Sequence, residues 1–289
     1  MSNLYTTPLT GRVAYSNAGI IKAVGKYGEK ISVGKIEYQH FDDENYQYII
    51  SPFWDIIDGL PTNVFFGIPG IKMEKRLPSY YRVNYEPIFI TERTPSKNRE
   101  DLWELLESVG LDYYDRLEWL IRTPMRAAND NQIVERIREN KEVINFNHSK
   151  KNIDILQYGD EIIVDSLQDF GRTTGSLIQT LAKVLFAGAD IKVTSENKVF
   201  LKAERSVLIP FVIAEYYVAK RERKNLQEKG ISVARKEGKY KGREKTAIDN
   251  MKFEEALKKF RTKQITIDEA LSMSGISSRS TFYRRIKDI

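Results

Sequence analysis

The chain has 289 residues, with 46 Lys+Arg, 40 Asp+Glu, 41% hydrophobic residues and a formal net charge of +6. That length predicts roughly two domains, with room for a small third, and the apolar share is enough for a packed core, which excludes wholesale disorder. With no cysteine and only two histidines, His40 and His148, a disulfide scaffold, a thiol nucleophile, a Cys-ligated zinc or iron–sulfur site and a His-rich metal centre are excluded; no cofactor is expected.

Residues 1–86 are rich in Tyr, Gly and β-branched side chains. Gly11–Tyr15, Ile31–Tyr38 and Tyr46–Ile50 read as short strands punctuated by Pro52, Gly59-Leu60-Pro61 and Pro69-Gly70. The glycines of this region make neither a dinucleotide-binding nor a phosphate-loop spacing. Ile88-Phe89-Ile90 reads as a buried strand, followed by the loop Thr94-Pro95-Ser96. Leu102, Leu105, Leu106 and Val109 then recur at helical spacing over Glu100–Val109, with Gly110 as the stop. A second helix is expected over about Tyr113–Ile121, ended by Pro124.

An α/β rhythm follows. Gln132–Asn140 reads as a helix and Val143–Phe146 as a strand. Glu161–Val164 is a continuous apolar run of the kind found in central strands. Ser176–Phe186 reads as a helix, stopped by Gly188, and Asp190–Val193 as another strand. This strand–helix–strand spacing implies a parallel crossover. Glu204 to about Gly230 reads as a long helix, apolar in its first half and charged in its second. Pro210 predicts a kink or a helix start nearby. Such a helix suits a subunit interface leading toward nucleic acid; a C-terminal core helix with a polar end is the alternative.

Charge is unevenly placed. Residues 216–289 hold 20 Lys+Arg and 10 Asp+Glu, a net +10, whereas residues 1–215 hold 26 and 30, a net −4. A basic terminal module on a near-neutral body fits phosphate-backbone binding through counterion release; a solvated lysine-rich tail would give the same pattern. Arg235–Arg243 reads as an extended basic arm, and Lys239, Lys241 and Arg243 could lie along a minor groove. Beyond it, Lys252–Phe260 is an amphipathic helix, and Thr266–Met273 a second with Thr266 and Glu269 at capping-box spacing. Gly275-Ile276 makes a turn, and Ser277 or Ser278 caps a third helix, Arg279–Lys287. Three short helices with a glycine turn before the last form a helix-turn-helix. Phe282 and Ile286 face its core, leaving Arg279, Ser280, Thr281, Arg284 and Arg285 for bases and phosphates.

The segments Gly159–Val164, Leu167–Arg172, Ala187–Ile191, Ala214-Glu215, Gly238–Arg243 and Gly275–Arg284 occur in the order and approximate spacing of the serine recombinases. From about Leu120 onward the chain resembles that family of resolvases and invertases. The resemblance implies a parallel-sheet catalytic domain, a long dimerisation helix, a basic arm and a DNA-binding domain. It also implies metal-free cleavage through a phosphoserine link, with arginines balancing phosphate charge.

The catalytic pattern departs from the family. The Arg-x-Ser that follows the family's first strand overlays Arg122-Thr123-Pro124, so no serine stands at its position. The Asp-Arg-x-x-Arg motif overlays Gln168-Asp169-Phe170-Gly171-Arg172 and retains only its last arginine, with an aspartate inverting charge where an arginine would face phosphate. Arg122 and Arg172 remain as candidate phosphate ligands, and Ser96 and Thr123 as candidate displaced nucleophiles; His148 reads as a polar strand-end residue.

The chain is thus expected to be an α/β protein. An α+β N-terminal domain of unknown role (1–112) precedes a resolvase-like domain with its long helix (113–232), a basic arm (233–250) and an all-α helix-turn-helix domain (251–289). The function expected is sequence-specific binding of double-stranded DNA by a regulator or architectural factor that has lost strand cleavage. The alternative is an active recombinase with a displaced nucleophile. A homodimer, or a tetramer on DNA, is expected, with a protein partner recruited through 1–112. With no run of about 18 apolar residues and no secretion signal, a cytoplasmic, nucleoid-associated setting without membrane contact is the simplest expectation.

Overall fold

The computed structural model describes residues 7–128, 130–146, 153–195, 198–200, 202–239 and 249–287. The chain divides into two compact units, 1–224 and 225–289. In the first, β1 (Val13–Val24), β2 (Lys30–Phe41), β3 (Tyr46–Pro52) and β4 (Tyr80–Val83) join β5 (Gln132–Arg136) in an antiparallel sheet of order β4-β3-β2-β1-β5. Between β3 and β5 come four short helices: α1 (Trp54–Ile57), α2 (Ile88–Thr91), α3 (Leu102–Ser108) and α4 (Arg116–Arg122). A second sheet pairs β6 (Val143–Asn145), β7 (Glu161–Val164) and β8 (Asp190–Val193) in parallel and adds β9 (Lys198–Phe200) antiparallel at one edge. Helix α5 (Thr174–Ala187) carries the crossover from β7 to β8, and α6 (Lys202–Lys236) follows β9. The fold is therefore mixed α/β and contains the expected parallel strands. The chain ends in α7 (Asn250–Arg261), α8 (Ile267–Ser274) and α9 (Arg279–Lys287). Among the described residues no helix is long and apolar enough to cross a membrane.

Several short segments differ from their sequence reading. Ile88–Ile90 is not a strand but the start of α2: Pro87 stands at its N-cap, Phe89 and Ile90 are buried, and Ile88 is 42% exposed. Three apolar residues carry too little periodicity to separate one helical turn from a strand. Gln132–Arg136 is not helical. It completes the first sheet by pairing with Gly19–Ala23 of β1, with Glu135 reaching Lys22 at 2.7 Å and Lys30 at 2.5 Å. Here a long-range ladder overrides local spacing. The first strand starts at Val13 and runs on to Val24 rather than ending at Tyr15. Arg235 and Lys236 belong to the last turn of α6, not to an extended arm. That helix closes with Gly238 at φ +67° and the Lys239 N–H donating to Ala234 O at 2.9 Å, a glycine-dependent stop.

No break in the core falls near 112/113. Ile20, Ile31, Phe53 and Ile56 from the first sheet and α1 pack in one cluster with Ile144, Ile162, Val184, Ile191 and Ile209. Phe53 stacks on Tyr158 with ring centroids 3.5 Å apart, and the Tyr158 hydroxyl donates to Asp55 at 2.8 Å. Arg205, 2% exposed, bonds both Asp55 and, at 2.6 Å, Asp190. A second cluster, including Ile21, Val33, Ile50, Phe89, Leu106 and Leu120, lies beneath α2–α4.

Pro210 lies inside α6. Without an N–H, proline cannot bond the carbonyl of Ser206 one turn earlier. The backbone of Gly59 packs at that place, where a β-carbon would come within 2.8 Å of Ser206 O and of Ile209 Cβ.

Candidate nucleic-acid interface

The terminal helices are set by their caps. Asp249 accepts from the N–H groups of Met251 and Lys252 at 3.0 and 3.3 Å, starting α7. Thr266 and Glu269 form the expected capping box at α8, with the Thr266 N–H donating to Glu269 Oε2 at 2.7 Å. Those bonds, the backbone one foremost, hold the Glu269 carboxyl below its ordinary range. Gly275 ends α8 at φ +70°, and Ile276 N–H donates to Leu271 O at 3.1 Å. This left-handed step turns the chain sharply into α9. Ser278, not Ser277, is the cap: its Oγ accepts from Thr281 N–H at 3.3 Å, and its carbonyl from Phe282 N–H at 3.1 Å. Phe282 is fully buried against Phe253 and Phe260, edge-on at 5.3 and 5.8 Å, and joins Ala256, Leu257, Ala270 and Ile276 in a small core.

Fixing Phe282 inward decides what α9 shows to solvent. Arg279, Ser280, Tyr283 and Arg284 are exposed, and their spacing puts them on one helical face. Arg279 Nη2 donates to both carboxylate oxygens of Asp268 on α8, at 2.8 and 2.9 Å, which raises the guanidinium pKa further. Thr281 is half-buried and its hydroxyl accepts from Ser278 at 2.8 Å, so it serves the cap rather than the open face. Arg285 is half-buried too. Tyr283, 48% exposed, was missed by the sequence reading. Its place four residues after Arg279 is the signal that marks it.

The residues carried over from the family resemblance are placed differently. Leu120–Arg122 form the last turn of α4 and do not follow a strand. Arg122 is engaged as a structural pin: Nε donates to Glu118 at 2.8 Å, and Nη1 to the carbonyls of Val109 and Gly110 at 3.1 and 2.6 Å, closing the end of α3. Glu118 also receives Arg136 and Asn17. The Thr123 hydroxyl donates to Trp119 O at 2.8 Å. Ser96 is exposed after α2, its Oγ accepting from Asn98 N–H at 3.4 Å. Asp169 closes a capping box with Ser166 on the 3-10 turn Leu167–Phe170, which gives it a structural duty there. Arg172 is exposed, directly before the Thr173 cap of α5, and without a hydrogen bond or ion pair among the described residues. No hydrogen bond or ion pair among those residues joins Ser96, Arg122, Thr123 and Arg172.

Lys239 pairs with Glu237 at 2.8 Å on an exposed surface. Lys241, Arg243 and His148 lie outside the described residues. Among those described, no group of three or more His, Asp or Glu is placed to hold a metal ion. In comparison with known proteins, the chain matches no protein-family model and no curated protein.

Proposed function

We propose that this chain is a sequence-specific DNA-binding protein, related to the serine recombinases, that holds DNA without cutting it. The observation that carries the reading is the exposed face of α9, where Arg279, Ser280, Tyr283 and Arg284 stand together on a helix entered through a glycine turn. A helix in the major groove reads bases with such side chains, while neighbouring cations meet phosphates. The surplus of positive charge in 216–289 supports the same reading. Against cleavage stand the commitments of the two candidate hydroxyl and arginine positions on α4: Thr123 donates to its own helix, and Arg122 ties α3 to Glu118.

A homodimer fits this role, because two linked reading helices bind a paired site with far higher avidity than one. Supporting it is a stripe on α6, where Val207 is 64%, Phe211 70% and Val218 37% exposed at helical spacing. A regulator or architectural factor of this kind would sit on the nucleoid.

The test is incubation with supercoiled DNA carrying a selected site, followed by a denaturing quench. Retarded complexes with no protein–DNA adduct, weakened by Arg284→Ala, are expected. A covalent adduct abolished by replacing Ser96 or Thr123 would establish a working recombinase instead. Absence of any complex with a selected pool would refute DNA binding.

A further inference from the structure

Strands β1, β2 and β3 bring four tyrosines to one face of the first sheet. Tyr38 stands opposite Tyr48, while His40 stands opposite both Tyr15 and Tyr46, and alternate residues of a strand share a face. The Tyr38 ring centroid lies 5.0 Å from Tyr48, 6.0 Å from Tyr46 and 6.2 Å from Tyr15. With residues 113–116 and Lys97 they wall a pocket of about 520 Å³, inside the roughly 300–1,000 Å³ span of small-molecule sites.

The polar groups of this pocket divide into committed and free. Asp115 is committed: it accepts from Leu117 and Glu118 N–H at 2.7 and 3.0 Å, Tyr15 Oη at 2.7 Å and Asn17 Nδ2 at 3.1 Å. Glu86 is neutralised by Arg116 at 3.1 Å. Lys97 is exposed at the mouth and has no ion pair among the described residues. Tyr48 is only 3% exposed, and its hydroxyl, which makes no hydrogen bond to another described residue, is not among the fully enclosed polar atoms, so it is open to an acceptor in the pocket. Burial pushes the phenols of Tyr38, Tyr46 and Tyr48 up, so they stay protonated and able to donate at neutral pH.

Aromatic walls, a free cation and donating hydroxyls match a planar base that carries an anion. An organic cation would find the rings but also Lys97, with both nearby carboxylates already satisfied. We propose that the pocket binds a single nucleotide, its base packed against Tyr38 and Tyr46 and its phosphate met by Lys97, with Tyr48 Oη supplying a hydrogen bond from the floor. The nucleotide is either free or part of a single DNA strand. The proposal is independent of α9, since a mononucleotide needs no helix-turn-helix.

The full chain should be titrated calorimetrically with the four deoxynucleoside monophosphates and with short single-stranded tetranucleotides. Saturable binding is expected, weakened about ten-fold or more by Tyr46→Ala and clearly weakened by Lys97→Ala and Tyr48→Phe. Circular dichroism and the melting temperature of Lys97→Ala, an exposed position, should match wild type, which separates lost binding from lost fold. Binding of the monophosphates assigns the pocket to free nucleotides. Binding of tetranucleotides alone, weakened by the same variants, assigns it to a strand. No saturation with either, or affinities unchanged in all three variants, overturns the proposal. Tetranucleotide binding lost in Arg284→Ala but untouched by the pocket variants also overturns it, placing the strand on the terminal helices. Tetramethylammonium binding that tightens in Lys97→Ala would assign the pocket to organic cations and overturn it as well.

Discussion

Arg279 and Asp268 are joined by a two-toothed ion pair, one nitrogen of the guanidinium meeting both carboxylate oxygens across the turn between α8 and α9. If α9 reads DNA as proposed, an arginine on its open face is thus partly neutralised before any phosphate arrives. Asp268→Asn should tighten DNA binding, and the slope of log K against log salt should steepen by about 0.9. Anisotropy titrations at several salt concentrations check this; an unchanged slope would mean Arg279 does not approach the backbone.

Phe282 is the centre of the small terminal core. Phe282→Ala should cost about 3–5 kcal/mol, more than a three-helix unit of this size can spare. Amide spectra should show residues 249–287 losing their dispersion while the signals of the first unit persist, and specific DNA binding should vanish with them.

Glu118 gathers Arg122, Arg136 and Asn17 on one carboxylate. Burial alone would raise its pKa, but those bonds outweigh burial and leave it below the ordinary value. Its stabilising contribution is therefore complete above the unfolded pKa, about 4.3, and is lost as pH falls from there through the lower folded value. Urea midpoints measured from pH 6 down to pH 3 should fall steeply for wild type and less steeply for Glu118→Gln, whose midpoint at pH 6 should already be lower.

Arg93 and Asp130 form an ion pair with both side chains fully buried. Asp130→Asn should be destabilising by roughly 3–5 kcal/mol, because it leaves a buried guanidinium without its counter-charge. Replacing both residues by apolar ones of similar volume should recover much of that loss. Equilibrium denaturation of the single and double variants measures the difference.

Gly59 packs against Ser206 and Ile209, in the turn of α6 that precedes Pro210. Gly59→Ala should cost about 1–3 kcal/mol, since its methyl would meet Ser206 O and Ile209 Cβ at 2.8 Å. A denaturation midpoint equal to wild type would show that α6 can shift away from α1.

Legibility in the sequence followed the range of the interactions. The terminal helices could be read nearly residue by residue, because capping residues, a glycine turn and an apolar stripe are local signals: Thr266, Glu269, Gly275 and Phe282 all stand where spacing puts them. The central strands β7 and β8 and helix α5 were equally plain from their apolar runs. Gln132–Arg136 was misread because Ile133 and Ile137 fit a helix, while its pairing with β1, more than a hundred residues earlier, leaves no local trace. The role of Arg122 was hidden because the carbonyls it binds, those of Val109 and Gly110, lie just past the end of the preceding helix α3. The tyrosine pocket draws on three strands and three loops. Only the Tyr-x-Tyr alternation at Tyr46 and Tyr48 hints that they share a face.

Since Ile20, Ile31 and Phe53 complete the interior that the parallel strands begin, the two sheets of the first unit cannot be traded separately. A gene rearrangement cutting near residue 112 would leave both products with an open apolar face and Arg205 stripped of Asp55. The terminal helices carry their own core and face no such bar. Exchange of that last segment is therefore open to this chain's descendants, whereas its two sheets must be inherited together.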